Sequence, residues 1–182
     1  FGDVSRLRPV ENLNIEGTEI TCKGQDEPLR QILLQLGLTT GKLTDLKNVT
    51  GIERRHGCWV VEIDLSNRVV DGDLDKRFSE LTSLEGLNLQ NTVIHGNIRL
   101  LRRNTRLNHL NLANTPVRGN LGALRNLAEL THLNLGSCIH VSGDLAALKR
   151  ATRLKKLNLD YTNVGGDVMA LENATELTDL YL

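Results

Sequence analysis

The sequence predicts an α/β solenoid with a parallel sheet on its concave face and short helices or 3-10 turns on its convex face. One leucine pattern returns every 23 or 24 residues, and a glycine followed by Asp or Asn stands at a near-fixed distance after most copies. Aromatic residues make up only 3% of the chain, which suits a core built in layers from one branched residue type. A fixed period of this length is typical of repeat architectures.

The strand of each repeat is the pattern Leu-x-x-Leu-x-Leu. Side chains alternate between the two faces of a strand, so alternate leucines point inward and the residues between them point outward. Stacked copies place these strands side by side in a parallel sheet, roughly 4.8 Å apart. The copies lie at 84–89, 107–112, 130–135, 154–159 and 177–182, and residues 60–65 form a looser version.

A turn and a short convex helix are expected after each strand. The glycine permits a backbone turn that a residue with a Cβ resists, and the Asp or Asn after it suits a helix N-cap. One leucine of each following segment is expected to pin that helix to the core. The turn pairs are Gly72-Asp73, Gly96-Asn97, Gly119-Asn120, Gly143-Asp144 and Gly166-Asp167, and the leucines are Leu101, Leu124, Leu148 and Leu171.

Small polar residues occupy the point where each strand bends away from the sheet, namely Thr92, Thr115, Cys138 and Thr162. Backbone groups lose their ladder partners at such a bend, and a small buried polar side chain satisfies them. Arg68 breaks this pattern in the first repeat.

With these motifs, the chain resembles the leucine-rich-repeat family over at least residues 60–182. The stretch 81–89, followed by Gly96-Asn97-Ile98, looks like the plant-type repeat of receptor and resistance proteins. That repeat has Asn where this chain has Thr, and a proline after the turn that is missing here. Thr at the bend with Gly-Asp-Leu after it is similar to repeats of microalgae and protists. The resemblance implies a module that binds macromolecules, usually on its concave face.

Three segments are expected along the chain. They are a partial or degenerate repeat at 1–24, a helical cap-like or inserted segment at 25–59, and an array of about five full repeats plus a truncated one at 60–182. The middle segment resembles the helical N-terminal cap of plant-type arrays but lacks its paired cysteines, so a cap and an interruption between two arrays are both open. Terminal repeats need a polar cap, so the array is expected to continue beyond Leu182.

The cysteines Cys22, Cys58 and Cys138 do not make a disulfide framework. A Cys22–Cys58 bridge and three free thiols are both open, and the rarity of cytosolic disulfides favours free thiols. No signal peptide and no apolar run as long as a membrane span is visible. The compartment is therefore open as well.

The side chains that point outward between the buried leucines are the candidates for binding a partner on the concave face. Interface hot spots favour Trp, Tyr and Arg, so this mostly polar surface shows no obvious anchor. A solvated asparagine ladder is the favoured interpretation of its repeated Asn. The candidates are Glu62, Asn88, His109, Asn111, His132, Asn134, Lys156, Asn158 and Tyr161.

His109 and His132 are expected to be neighbours on adjacent strands. Zinc sites need three or four ligands, and only Asn or Lys stands nearby, so two ordinary surface histidines are favoured over a metal site. The sequence has no phosphate-loop, dinucleotide-binding or nucleophile-elbow motif. It therefore predicts no cofactor and no enzymatic activity.

The net charge is zero, but basic residues concentrate between Arg99 and Lys156. Most are expected on the convex segments of three repeats. There they form either a solvated outer face or a patch for an acidic partner protein, an anionic lipid surface or nucleic acid. No aromatic residues interleave them, which counts against single-stranded nucleic acid. The candidates are Arg102, Arg103, Arg106, Arg125, Lys149, Arg150 and Arg153.

Two functions are compatible with these features. The favoured one is a non-enzymatic module that displays a rigid curved surface to another protein. The alternative is a structural subunit built permanently into a larger multi-protein assembly. A recognition module folds alone and binds reversibly, whereas a built-in subunit is insoluble or unstable without its neighbours.

Overall fold

A computed structural model of the protein describes residues 52–55, 59–68, 70–74 and 77–182. Within these ranges the chain forms two sheets of stacked strands. In each repeat a 3-10 helix follows the strand of the second sheet and precedes the next strand of the first. Segment 1–24 and most of 25–59 lie outside the described residues, as do Cys22 and Cys58. The division into three segments and the question of a disulfide bridge therefore stay predictions.

The described strands fall into two alternating groups along the chain. They are β1 (Ile52–Arg55), β2 (Trp59–Asp64), β3 (Asp71–Leu74), β4 (Gly86–Asn88), β5 (Val93–Asn97), β6 (His109–Asn111), β7 (Val117–Asn120), β8 (His132–Asn134), β9 (His140–Asp144), β10 (Lys156–Asn158), β11 (Asn163–Gly165) and β12 (Asp179–Tyr181). The concave sheet has the order β1-β2-β4-β6-β8-β10-β12 and contains the strands of the leucine motif. Only β1 is antiparallel to its neighbour, and each later strand pairs in parallel with the strand of the next repeat.

A second sheet follows the bend of each repeat and has the order β11-β9-β7-β5-β3. The sequence predicts only a turn in this region. One apolar side chain of each central strand points inward and is fully buried, as for Ile94, Val117 and Val141. The neighbouring positions of these strands are mostly exposed. This alternation spans only a few residues in each repeat, so the sequence signal is too short to distinguish a strand from a turn.

The convex face carries 3-10 helices. Of the two predictions, short helices or 3-10 turns, the structure has the 3-10 form. These helices lie at Phe78–Glu80, Ile98–Arg103, Leu121–Leu124, Leu145–Leu148 and Val168–Leu171. The predicted N-caps form in the last four, because each Asn or Asp side chain accepts a hydrogen bond from the backbone N–H two residues later. The leucines expected to pin these segments are all buried.

Gly143 shows why the turn before each N-cap needs glycine. Its φ of +126° lies in a region that side chains with a Cβ rarely adopt. A Cβ there would also stand 2.9 Å from both Asn120 Oδ1 and the Leu121 nitrogen of the preceding repeat. The glycine therefore permits both the turn and the close stacking of one repeat on the next.

The polar residues at the bend satisfy the backbone, as predicted, and all but the partly buried Thr162 are buried. Thr115 Oγ1 donates to the Leu112 carbonyl oxygen at 2.6 Å, and Cys138 Sγ donates to the same oxygen at 3.0 Å. Thr92 and Thr162 each donate to the carbonyl three residues earlier. Burial raises the pKa of the Cys138 thiol, which keeps it protonated and able to donate.

Asn104 links two repeats in a way that the repeat pattern does not reveal. Its side chain is fully buried, and Nδ2 donates to the carbonyl oxygens of Phe78 at 2.8 Å and Leu81 at 2.9 Å. Its Oδ1 is buried without a hydrogen-bond partner. The corresponding position of the next repeats is apolar, with Leu127 and Ala151.

Candidate functional site

Two columns of outward side chains cross the concave sheet, in the register that the repeat predicts. Each side chain lies beside its equivalent on the next strand, because the strands pair without a shift. The first column is Glu62, Gly86, His109, His132, Lys156 and Asp179, and the second is Asp64, Asn88, Asn111, Asn134, Asn158 and Tyr181.

The asparagines of the second column bind their own backbone. Asn134 Oδ1 accepts from the Gly136 N–H at 3.0 Å, and Asn158 Oδ1 accepts from the Asp160 N–H at 2.9 Å. Asn88 and Asn111 form the same bond to the N–H two residues later. This is the turn-forming bond that Asn and Asp side chains favour, so the repeated Asn ends each strand and has a structural role.

The two histidines of the first column stack on each other. Their ring centroids are 4.0 Å apart and the ring planes are inclined by 18°. His109 Nδ1 lies 3.1 Å from Asn108 Oδ1. Because an amide oxygen can only accept, this contact is a hydrogen bond when Nδ1 carries a proton.

A shared metal ion does not fit this pair. Nearly parallel rings direct their nitrogen lone pairs along parallel lines rather than toward one point, and a zinc site needs at least three protein ligands. Among the described residues, no group of three or more His, Cys, Asp or Glu side chains is placed to hold a metal ion.

The last two side chains of the first column form an ion pair, and the histidine before them is neutral. The pKa of His132 lies below its usual value of 6.5, chiefly because of burial and then because protonation of its ring is opposed by the cationic forms of His109, Lys156 and Lys155. The ring is therefore uncharged at neutral pH. Lys156 Nζ lies 3.7 Å from Asp179 Oδ2, and a hydrogen bond from Thr178 is the main cause that lowers the pKa of Asp179.

These columns bound a groove of about 310 Å³ that spans four successive strands. The groove brings together most of the concave candidates and adds Asp179 and Tyr181, which the candidate set omitted. Glu62 and Asn88 lie on earlier strands, outside the groove, and Tyr161 also lies outside it. The side chains that line it outward are His109, Asn111, His132, Asn134, Lys156, Asn158, Asp179 and Tyr181.

A third column, at the turn after each concave strand, has left-handed backbone, with φ between 54° and 63°. It consists of Asn67, Asn91, Asn114, Ser137 and Tyr161. The Asn side chains form a ladder, with bonds of 2.7 Å and 2.9 Å between successive repeats. Asparagine adopts this region readily, whereas a bulky residue does so at a cost. The recurring Asn at 67, 91 and 114 was the sequence signal for this column, and sequence analysis missed it.

The basic candidates separate into two groups. Arg102, Arg103, Arg125, Lys149 and Arg150 are exposed on or next to the convex 3-10 helices. Arg106 and Arg153 instead line a depression beside Glu85 and Glu129, at the approach to the concave strands. Arg153 Nη1 is 2.6 Å from Glu129 Oε2, so its charge is paired. The convex patch is therefore smaller than predicted.

None of the helices within the described ranges has both the length and the apolar character that crossing a bilayer requires. No protein-family model matches the chain, and no curated protein matches it.

Solved structures do match the chain. The leucine-rich-repeat ectodomain of the receptor kinase SOBIR1 from Arabidopsis thaliana matches 87% of this chain and 91% of its own, with a TM-score of 0.73 and 20% identity. PEPR1 with AtPEP1 matches 88% of this chain, with a TM-score of 0.73 and 25% identity. The plant peptide hormone receptor RGFR1 in complex with RGF2 matches 66% of it, with a TM-score of 0.59 and 26% identity. The chain spans only 24% of PEPR1 and 20% of RGFR1.

Proposed function

We propose that this chain, which has the leucine-rich-repeat fold of plant receptor ectodomains, is a non-enzymatic module that binds an extended peptide or protein segment in its concave groove. The observation that carries the proposal is the groove between His109 and Tyr181. It is lined by side chains from four strands that keep a fixed spacing. A regular array of this kind suits a ligand that is itself extended.

Some polar atoms in the groove are free to form hydrogen bonds with a ligand. The Asn oxygens bind backbone, but the Nδ2 groups of Asn134 and Asn158 have no hydrogen-bond partner among the described residues. The uncharged ring of His132 has one nitrogen that can accept a hydrogen bond, and Tyr181 contributes an exposed aromatic ring at the end of the groove. Donors, an acceptor and an aromatic side chain in one groove are the elements that peptide recognition uses.

Similarity to known receptors supports a peptide or protein as the ligand. RGFR1, which is a peptide hormone receptor, shares the fold and 26% identity over 66% of this chain. The chain corresponds to only part of such a receptor, so the proposal concerns this segment and leaves the activity of any longer protein aside.

Selection from a displayed peptide library, with the 182-residue chain as bait, tests the proposal. We expect the selected peptides to lose at least tenfold in affinity for Lys156→Glu, which reverses a charge inside the groove, and for Tyr181→Ala, because tyrosine is among the side chains that most often carry binding energy. Arg102→Glu on the convex face is the matched control and should leave their affinity unchanged.

Two further readouts complete the experiment. Thermal melts of Lys156→Glu and Tyr181→Ala that match the parent show that a loss of binding is not a loss of fold, since both side chains are exposed. Peptides that bind the concave variants as well as the parent would contradict the proposal. A chain that is insoluble until a partner protein is co-expressed would instead support a permanently built-in subunit.

A further inference from the structure

The convex face places three cations in one column across three repeats. The last leucines of successive 3-10 helices, Leu101, Leu124 and Leu148, are buried, and the residue after each is Arg102, Arg125 or Lys149. Adjacent 3-10 helices contact each other, so these three positions lie on neighbouring repeats of the same face. Arg103 directly follows Arg102 and Arg150 directly follows Lys149, so a second cation stands at each end of the column. We call these five residues the basic column.

The charges of the basic column are not neutralised within the described part of the chain. Other cations in the same repeats do form ion pairs: Arg153 with Glu129, Lys155 with Glu176, and Lys156 with Asp179. None of the basic column's five side chains forms an ion pair with another described residue. Asp144, which lines the same groove as Arg125, Lys149 and Arg150, uses its Oδ1 to accept from the Ala146 N–H as an N-cap.

The column is also limited in length. Ser79 occupies the equivalent position in the preceding repeat, and Glu172 occupies it in the following one. Charge therefore reverses after three repeats, which defines a short site rather than a uniformly basic surface. Arg125, Lys149 and Arg150 border a shallow groove of about 380 Å³ whose lining includes Gly122, Ala146 and Ala147.

We propose that the basic column is a second binding site, separate from the concave groove, and that it takes an acidic helical segment of a partner protein. Neighbouring strands in a sheet are about 4.8 Å apart, and side chains four residues apart on a helix have Cβ atoms about 5–6 Å apart. A helix with a carboxylate at every fourth position therefore suits cations that stand on successive repeats, as Arg102, Arg125 and Lys149 do. Small side chains in the groove leave room for the helix to approach.

Nucleic acid and membrane are weaker matches to this surface. The convex segments 98–103, 121–126 and 145–150 contain no aromatic residue on which a base could stack. A lipid surface attracts basic residues without regard to their spacing, and it would not select three in a row bounded by an acidic residue. Both ligands serve as competing probes in the test.

The test measures binding of the 182-residue chain to a labelled synthetic helical peptide with glutamate at every fourth position, at low and at moderate salt. The same peptide with glutamine in place of glutamate is the probe control. We expect the triple variant Arg102→Glu, Arg125→Glu, Lys149→Glu to bind about tenfold more weakly or worse, since each exposed ion pair contributes a modest amount. Lys156→Glu on the concave face should bind the peptide as the parent does.

Equal binding of the glutamate and glutamine peptides would overturn the proposal. So would tighter binding to a DNA duplex or to phosphatidylserine vesicles than to the glutamate peptide. A double variant, Arg103→Gln with Arg150→Gln, gives a milder change if the triple variant does not fold, and it should lose a smaller part of the affinity. Because the concave and convex variants are tested against both ligands, failure of either site is visible separately.

Discussion

Leu112, in the middle of the array, is fully buried, whereas Leu182, at the same position of the last leucine motif, is 59% exposed. The same difference separates Leu133 in β8, which is 1% exposed, from Leu180 in β12, which is 39% exposed. The leucine pattern is the same at these positions. Burial in this chain is therefore a property of the stack, because each leucine is covered by the repeat that follows it.

The bend and the second sheet show the same difference in burial between the middle of the array and its last repeat. Thr115 is buried at the bend of a middle repeat, whereas Thr162 is only partly buried at the bend of the last one. Val141 is fully buried in the second sheet, and its counterpart Val164 is partly exposed. Matched substitutions at equivalent positions therefore measure how much a neighbouring repeat contributes.

The largest difference is expected between Leu112→Ala and Leu182→Ala. Removing a fully buried leucine side chain lowers the free energy of unfolding by roughly 2–5 kcal/mol, because apolar burial is lost and a cavity remains. The exposed Leu182 leaves no enclosed cavity, and its change should stay under about 1 kcal/mol. Urea unfolding measures both, and equal losses would show that Leu112 is not in a central layer.

Gly143→Ala and Gly165→Ala form the second pair. Alanine at Gly143 meets both a positive φ and a Cβ contact of 2.9 Å with the preceding repeat, so we expect a loss of roughly 1–3 kcal/mol. A Cβ at Gly165 has nothing within 4 Å. That variant should change stability by less than about 0.5 kcal/mol. Thermal melts of the two variants side by side decide the matter, and a tolerant Gly143 would contradict the stacking described here.

Tyr161→Asn is expected to stabilise the protein, whereas the substitutions above destabilise it. Tyr161 has a φ of 54° and a side chain that is 75% exposed, so the ring contributes little packing to offset the backbone strain. Asparagine, which other repeats have at this position, should raise the free energy of unfolding by about 1 kcal/mol. Tyr181→Asn, at an exposed tyrosine in a strand, is the control and should give no such gain. A lower melting temperature for Tyr161→Asn would refute the strain argument.

The smallest effect is expected from pH at His132. Its pKa is lower in the folded chain than the usual 6.5, so the unfolded chain binds more protons when the pH falls below that value. Stability is then fully present above about pH 6.5 and decreases as the pH falls through the folded pKa. His132→Gln should flatten this decrease in melts between about pH 7 and pH 5. Parallel slopes for the two proteins would show that His132 is not involved.

The period of the sequence predicted the register of the concave sheet, the buried leucines, the polar residues at the bend and the N-caps. These features repeat, and within the middle of the array a repeated position meets the same neighbours in each repeat. The second sheet was missed because only one buried residue per strand, such as Ile94, marks it. The bonds of Asn104 were missed because they occur once and replace an apolar position of the repeat.

The candidate site was predictable in outline but not in its chemistry. The period placed His109 beside His132 and aligned the Asn column. It did not show that the rings stack, nor that the Asn oxygens bind the backbone two residues later, because both depend on side-chain orientation. It also assigned Arg106 and Arg153 to the convex face, since sequence spacing alone does not separate a 3-10 helix from the turn that follows it.

The reactivity of the Cys138 thiol can report how often neighbouring repeats separate. Its thiol is buried in the middle of the array and is the free cysteine within the described residues. A thiol reagent reaches it only when adjacent layers separate, and in a repeat protein layers separate at one interface without the whole chain unfolding. With Cys22 and Cys58 replaced by serine, the modification rate of Cys138 therefore measures how often the solenoid opens at its centre.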